Sequence, residues 1–388
     1  MIFLITVGII CEYNPFHLGH QKQIRLIKEK FGSEAAVVCL MSGNFVQRGA
    51  PAIFDKAIRA KAAVLSGADL VLELPVTCAL SSAEGFARGG VEILGKLCDY
   101  LCFGCETGNE DALMATAGAL LSDEFQPLLR QELEKGVSFP SARAAALEQL
   151  GLDAEILRRP NDILAVEYCK AILATGTAMR PLPIVREGSY HAETADEENP
   201  SATALRKLIL EDGDWESFVP ECTRSVFENA PIHTLEAGER AVLARLRFMT
   251  DSEFEALPYG SEGLWRKFMH ACRREATLSA ITAATKSKRY TATRIDRMMM
   301  CAALSITADL LNSPAPYVRA LALNDRGRSV LRSAKRHMLC INAGESVDNP
   351  YFNLECRCSD LYGLFRADGP GAPGAEEKQR IYYHKENP

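Results

Sequence analysis

The chain has 388 residues, 47% hydrophobic and 24% charged, with a formal net charge of −6. That composition fits a globular protein of about two or three domains and excludes collagen-like or low-complexity chains. No apolar run approaches the ~20 residues that cross a bilayer, the start lacks a basic leader, and 13 scattered cysteines fit a reducing compartment, so a cytoplasmic location is expected.

Charge is unevenly distributed. Arg266 to Arg336 holds 15 Lys/Arg against four acids, Glu275, Asp296, Asp309 and Asp325, so the remainder is acidic. Such asymmetry predicts a basic face meeting a polyanion. The alternative is that these cations lie on several solvated helix faces.

The first half alternates. Apolar β-rich runs at 5–11, 36–41, 70–74 and 100–104 are separated by helical patterns at 21–31, 54–66 and 83–97. This spacing predicts a parallel sheet with helices on both faces. Consecutive helices follow at 111–121, 125–135, 141–150 and 161–175, then a strand at 182–186 and a polar loop at 187–200. A helix opens at Ser201-Ala202-Thr203, capped by Ser201 or Thr203. The chain then reads as mostly helical to about 311, with a strand at 317–323 and a turn at Asp325-Arg326-Gly327-Arg328. The expected fold class is α/β: a Rossmann-like parallel-sheet domain over 1–213, then a mainly helical C-terminal domain over 214–388. The tail from about 368 is expected to be loose.

The first strand hands over to the first helix through Glu12-Tyr13-Asn14-Pro15-Phe16-His17-Leu18-Gly19-His20. A strand end followed by a helix N-terminus aims N–H groups and a positive dipole end at an anion. Gly19 lets the backbone approach a ligand. His17 and His20, three apart, fall on one face and can donate to phosphate oxygens. Nucleotidyl transfer needs placement and charge stabilisation more than covalent help. The alternatives are a structural histidine pair or a metal site; spacing supplies no third ligand for the latter. The loop after the second strand offers Ser42, Asn44, Gln47 and Arg48 for substrate or phosphate contact, or else forms a turn held by side-chain hydrogen bonds. Lys56, Arg59 and Lys61 then face either a polyanion or solvent. Cys102-Phe103-Gly104-Cys105 reads better as a strand end than as half of a metal site.

The H-x-G-H tetrad resembles that of nucleotidyltransferases related to class I aminoacyl-tRNA synthetases. With Met41–Ala52, Ala68–Pro75, Phe103-Gly104, Pro160–Leu164, Ser201–Arg206 and Lys288–Arg294, the chain resembles the bacterial tRNA(Met) cytidine acetate ligase family from about Val7 to about Val330. The resemblance implies activation of acetate by ATP to acetyl-adenylate, with release of pyrophosphate. It further implies acetyl transfer to the exocyclic amine of the wobble cytidine of elongator tRNA(Met).

By the same resemblance, His17 and His20 are catalytic. The ATP-binding segment comprises Val7, Gly8, Ile9, Ile10, Cys11, Glu12, Tyr13, Asn14, Pro15, Phe16, His17, Leu18, Gly19 and His20. Gly104, Asn161 and Arg186 add nucleotide contacts. Ser201, Thr203 and Arg206 meet the β/γ-phosphates, although Ala202 stands where many relatives carry a hydroxyl; a plain N-cap is the other reading of Ser201. Lys288, Arg289 and Arg294, beside Tyr290, are candidate tRNA contacts, against a solvated basic helix as the alternative. Mg²⁺ is expected only as the counterion of ATP. Two other functions fit the residues: nucleotide transfer to a small phosphorylated cofactor precursor, and RNA binding with ATP as a structural or regulatory ligand.

Overall fold

The computed structural model describes residues 4–185, 201–314, 317–333, 339–340 and 349–385. Its strands are β1 (Thr6–Cys11), β2 (Ala36–Ser42), β3 (Phe45–Val46), β4 (Ala50–Pro51), β5 (Leu70–Leu74), β6 (Tyr100–Cys105), β7 (Arg180–Val185), β8 (Val318–Leu323), β9 (Leu339–Cys340) and β10 (Tyr382–Tyr383). Eight strands form one sheet in the order β10-β8-β5-β2-β1-β6-β7, with β9 also on β8; β3 and β4 form a separate hairpin. All sheet neighbours are parallel except β5 and β8.

Burial explains why the strands read as unbroken apolar runs. Val38, Leu40, Leu70, Leu72, Leu101 and Phe103 face one layer, whose helices include Ala83–Leu94 and Pro160–Thr175. Val37, Cys39, Met41, Val71 and Cys102 face the other, against Leu18–Phe31, Lys56–Leu65 and Ala202–Leu210. Strands covered on both faces have no polar side to alternate with.

The strand order reverses at β1: β2 and β5 lie to one side of it, β6 and β7 to the other. The β1–β2 ladder runs for all six residues of β1, whereas the β1–β6 ladder pairs only Val7 and Gly8 with Tyr100 and Leu101. The C-terminal ends of β1 and β6 are therefore not laddered together. Open α/β sheets bind ligands beyond the strand C-termini at such a switch point.

Sheet membership does not follow the boundary expected at 213/214, because β8, β9 and β10 all come from beyond it. A second core gathers Val242, Leu246, Phe254, Phe268, Ile295 and Met299, and it closes on Phe45, Val76 and Leu80 from the first half. The tail expected to be loose is seated: β10 pairs with Ala322 and Leu323 of β8, and Glu376 is buried. Nor is 325–328 a free turn; it opens the helix Asp325–Ser333. Asn324 Oδ1 accepts the N–H of Gly327 at 2.9 Å, and a Cβ on Gly327 would lie 1.9 Å from the Asp69 carbonyl oxygen. The glycine here permits close approach to the sheet; it does not end an element.

Candidate active site at the C-terminal edge of the sheet

His17 is the N-cap of the helix Leu18–Phe31. Its Nδ1 accepts the N–H of Gly19 at 3.1 Å, while its own N–H donates to His20 Nδ1 at 3.2 Å. This is a capping box built from two imidazoles. Gly19 has a local reason beyond ligand approach, since a Cβ there would lie 3.0 Å from His17 Cε1. The turn before it bends through Tyr13, held at φ 46°, a left-handed conformation that costs a non-glycine residue roughly 1–3 kcal/mol. The Tyr13 ring is buried edge-on to Phe16 at 4.8 Å and lies 4.7 Å from the ring of His20.

Within the expected ATP segment, Val7, Gly8, Ile9, Ile10, Tyr13, Asn14, Pro15, Phe16 and His17 are buried, whereas Cys11, Glu12, Leu18, Gly19 and His20 retain partial exposure. Gly8 is explained by packing: a Cβ would lie 2.9 Å from Leu94 Cδ1.

The loop after β2 is stitched to this turn. Glu12 Oε1 accepts the N–H of Gln47 at 2.8 Å, and Asn14 Oδ1 accepts that of Ile53 at 2.8 Å. Asn44 is internal, its Oδ1 accepting the N–H of Lys56 and its Nδ2 donating to Ser359 Oγ. Gln47 Nε2 donates to the carbonyl of Ser81 at 3.3 Å. Arg48 is exposed, and Ser42 Oγ is a buried hydroxyl without a hydrogen-bond partner among the described residues. Arg48 is thus better placed for ligand contact than Asn44 or Ser42, which are both buried.

Lys56 and Arg59 face neither solvent nor a polyanion; both are buried. Lys56 Nζ lies 2.6 Å from Glu73 Oε1 and 2.6 Å from Glu376 Oε2. Glu376 also pairs with Arg319 and accepts from Ser359 Oγ. Burial opposes the Lys56 charge, but Glu376 and Glu73 outweigh it and raise its pKa. Burial, then the nearby Glu73, pushes the Glu355 carboxyl up to about 8. Arg319, counted within the basic segment, is consumed in this interior cluster.

Across the switch point, Gly104 lies near the end of β6, and Asn161 lies in the first turn of the helix Pro160–Thr175. Glu106 links them. Its carboxylate accepts the N–H and Nδ2–H of Asn161 and the N–H of Asp162, at 3.2, 2.8 and 2.7 Å. Asp162 Oδ1 returns the exchange by accepting the N–H groups of Glu106 and Thr107. An acid of the chain itself thus occupies this helix N-terminus, the place an anion would otherwise take. Arg186 lies outside the described residues.

Ser201 caps Ala202–Leu210 as the plain N-cap reading holds, accepting the N–H of Ala204 at 3.0 Å. The same helix nonetheless reaches the opening motif, because Arg206 Nη1 donates to the Asn14 carbonyl at 2.7 Å and Nη2 to Thr203 Oγ1 at 3.1 Å.

The candidate tRNA residues differ from one another. Lys288 is exposed. Arg289 is exposed and lies 2.6 Å from Glu262. Arg294 is structural, donating to the Tyr259 carbonyl through Nε and Nη2 and to Ser261 Oγ. The helix Ala292–Ala303, which carries Arg294 but not Lys288 or Arg289, touches the loop after β2: Arg297 Nη1 donates to the Gln47 carbonyl at 3.5 Å. Gly49, at φ 79°, makes this contact possible, since a Cβ would lie 2.4 Å from the Asp296 carbonyl carbon.

Sequence reasoning missed Glu106 and the interior roles of Lys56 and Arg59. An acid two residues past a strand glycine has no distinguishing signal. Cations on a helix resemble a solvated face until their partners are known. Among the described residues no three His, Cys, Asp or Glu side chains converge as a metal site, and no helix is long and apolar enough to cross a membrane.

The sequence model of the HIGH nucleotidyl transferase family matches residues 4–372. The tRNA(Met) cytidine acetate ligase of Alkaliphilus metalliredigens is 34% identical, with 98% of this chain and 99% of that protein covered. Its namesake from Clostridium perfringens is 36% identical over 85% of this chain and 87% of the relative. Among solved structures, Thermotoga maritima TmcAL in its apo form superposes with a TM-score of 0.89 at 28% identity, covering 98% of this chain and 100% of the other. A second structure of that protein, bound with alpha-thio ATP, gives 0.88 at 29% identity, covering 99% and 100%. With its α/β sheet, its histidine-capped first helix and relatives aligned over nearly its whole length, the chain belongs to the HIGH nucleotidyl transferase family and, within it, to the tRNA(Met) cytidine acetate ligases.

Proposed function

We propose that the protein activates acetate with ATP and transfers the acetyl group to the wobble cytidine of elongator tRNA(Met), in the cytoplasm. In the first step an acetate oxygen attacks the α-phosphorus, the bond to the β-phosphate oxygen breaks, and pyrophosphate leaves. In the second the cytidine amine attacks the acetyl carbon, AMP leaves, and the amine gives up a proton. The observation that carries this reading is the His17–His20 box at the β1–β6 switch point, stitched by Glu12 and Asn14 to the loop after β2.

His17 and His20 stabilise charge on the phosphate oxygens during displacement. Gly104 and Asn161 lie across the switch point, where Glu106 disfavours phosphate and leaves room for the nucleoside. Arg206 and Thr203 serve the outer phosphates from the far side of the motif. Arg48 borders the acetate. Arg297 lies on the helix that follows Lys288 and Arg289, and its contact with the Gln47 carbonyl supports a tRNA surface on the side of the loop after β2. Arg186 completes the nucleotide contacts in this reading. Mg²⁺ accompanies ATP as its counterion.

The test is to incubate the protein with labelled acetate, ATP and bulk tRNA, digest the RNA, and look for label in N4-acetylcytidine. Label absent from cytidine, in protein shown to bind both ATP and tRNA, overturns the proposal.

A further inference from the structure

Arg59 is fully buried, and its guanidinium makes four hydrogen bonds to main-chain carbonyls. Nε donates to Phe54 at 2.8 Å, Nη1 to Glu12 at 2.5 Å and to Ser42 at 3.2 Å, and Nη2 to Gly43. Glu12 is the first residue past β1; Ser42 ends β2 and Gly43 follows it. Where two parallel strands end, their carbonyls lose the ladder but still require donors. One rigid fork supplies donors to both strand ends. It does so where the chain diverges, β1 into the histidine turn and β2 into the loop bearing Gln47 and Arg48.

We propose that Arg59 is a positioning residue for adenylate formation, setting the separation between the His17–His20 turn and the loop after β2. This rests on the reading that ATP and acetate meet at that edge. Arg59 touches neither ligand, since it has no surface in the crevice. It acts through the Glu12, Ser42 and Gly43 carbonyls, and the Glu12–Gln47 bond carries the constraint onward. A lysine cannot replace it, because an ammonium is a point donor that cannot span both strand ends in one plane.

The experiment uses the full chain with Arg59→Lys and Arg59→Gln, measuring acetate-dependent ATP–pyrophosphate exchange and amide hydrogen exchange. Both variants should lose about 10²-fold in kcat, the scale of a 1 Å misplacement. KM for ATP should stay within about threefold, as expected for loss of an effect realised only in the transition state. Amide exchange should accelerate at residues 12–20 and 43–49 while the sheet strands stay protected. Arg59→Lys keeps the charge and the stem, and it carries the test if Arg59→Gln does not fold. Wild-type kcat in Arg59→Lys, or protection lost evenly over the chain, overturns the proposal. If wild-type protein forms no acetyl-adenylate, the functional reading fails separately; unchanged exchange at both segments then overturns the clamp itself.

Discussion

The rings of His17 and His20 stack with centroids 3.6 Å apart, and each accepts a main-chain N–H through Nδ1. An imidazole that accepts at Nδ1 carries its proton on Nε2 when neutral. The capping box therefore does two jobs: it starts the helix, and it selects the tautomer that presents Nε2–H as a donor. In the proposed reaction, a phosphate at this helix N-terminus would meet donors already oriented, which would lower the reorganisation needed during displacement.

Replacing His20 separates those jobs. His20→Ala should lower acetate-dependent pyrophosphate exchange by about 10²–10³-fold, the cost of removing one such donor, with tRNA affinity nearly unchanged. His20→Glu keeps the side-chain acceptor that a capping box wants three residues past the cap, so its thermal stability should stay near wild type. Its negative charge would repel phosphate, so its activity should fall at least as far. An active His20→Glu enzyme would show that the histidine only caps.

Two arginines of the basic segment, Arg289 and Arg294, should behave differently toward tRNA in the proposed reaction. Arg289 is exposed beside Glu262, in the kind of surface pair that contributes roughly 0–1 kcal/mol to folding. Its removal should leave stability alone and flatten the dependence of log affinity on log salt by about 0.7–0.9 for each phosphate it neutralises. Arg294 holds the Tyr259 carbonyl and Ser261 Oγ. Arg294→Ala should lower the melting temperature as well as tRNA affinity. A salt slope untouched by Arg289→Ala would place the RNA surface elsewhere.

The central strands were legible because burial on both faces leaves unbroken apolar runs, as in Val37-Val38-Cys39-Leu40 and Leu70-Val71-Leu72. The first helix was legible because its cap lies within a string dense in special residues. The interior charges were not. Lys56 occupies an ordinary amphipathic helix, and its partner Glu376 lies 320 residues away on a four-residue helix. β10 has only two residues and no pattern of its own, so a Gly/Pro-rich charged tail read as loose when it is seated by one carboxylate and one short ladder. Long-range ion pairing and side-chain bonds to distant carbonyls have no local period, and for that reason the tail and the roles of Lys56 and Arg59 appeared only in the fold.

Glu376 should accordingly be a stability residue. It is 1% exposed and supplies negative charge to two buried cations, Lys56 and Arg319. Burial would raise its pKa, but Lys56 and Arg319 outweigh that effect and hold it below the ordinary carboxylate value. A depressed carboxylate stabilises the fold above its unfolded pKa, and that contribution is lost as pH falls through the folded value. Glu376→Ala leaves buried charge uncompensated and should cost about 3–5 kcal/mol in urea denaturation at neutral pH. A loss below about 1 kcal/mol would mean the cluster relaxes into water instead of seating the tail.

Glu355 works in the opposite direction. Burial and Glu73 raise its carboxyl to about 8, while its Oε1 accepts the N–H of Val76 at 2.7 Å. In the unfolded chain the same group ionises near the ordinary value of about 4.3. Between these values the native state holds the extra proton, so stability falls as pH rises, with a slope of up to about one proton. Above about 8 the penalty is complete; below the unfolded value it is absent. Glu355→Gln keeps an acceptor for Val76 and never ionises. It should match wild type near pH 4–5 and exceed it increasingly toward pH 8, shown by denaturant midpoints taken at several pH values. Parallel stability profiles for the two proteins across that window would show that Glu355 is ionised in the native fold, with Lys56 neutralising it along with Glu73 and Glu376.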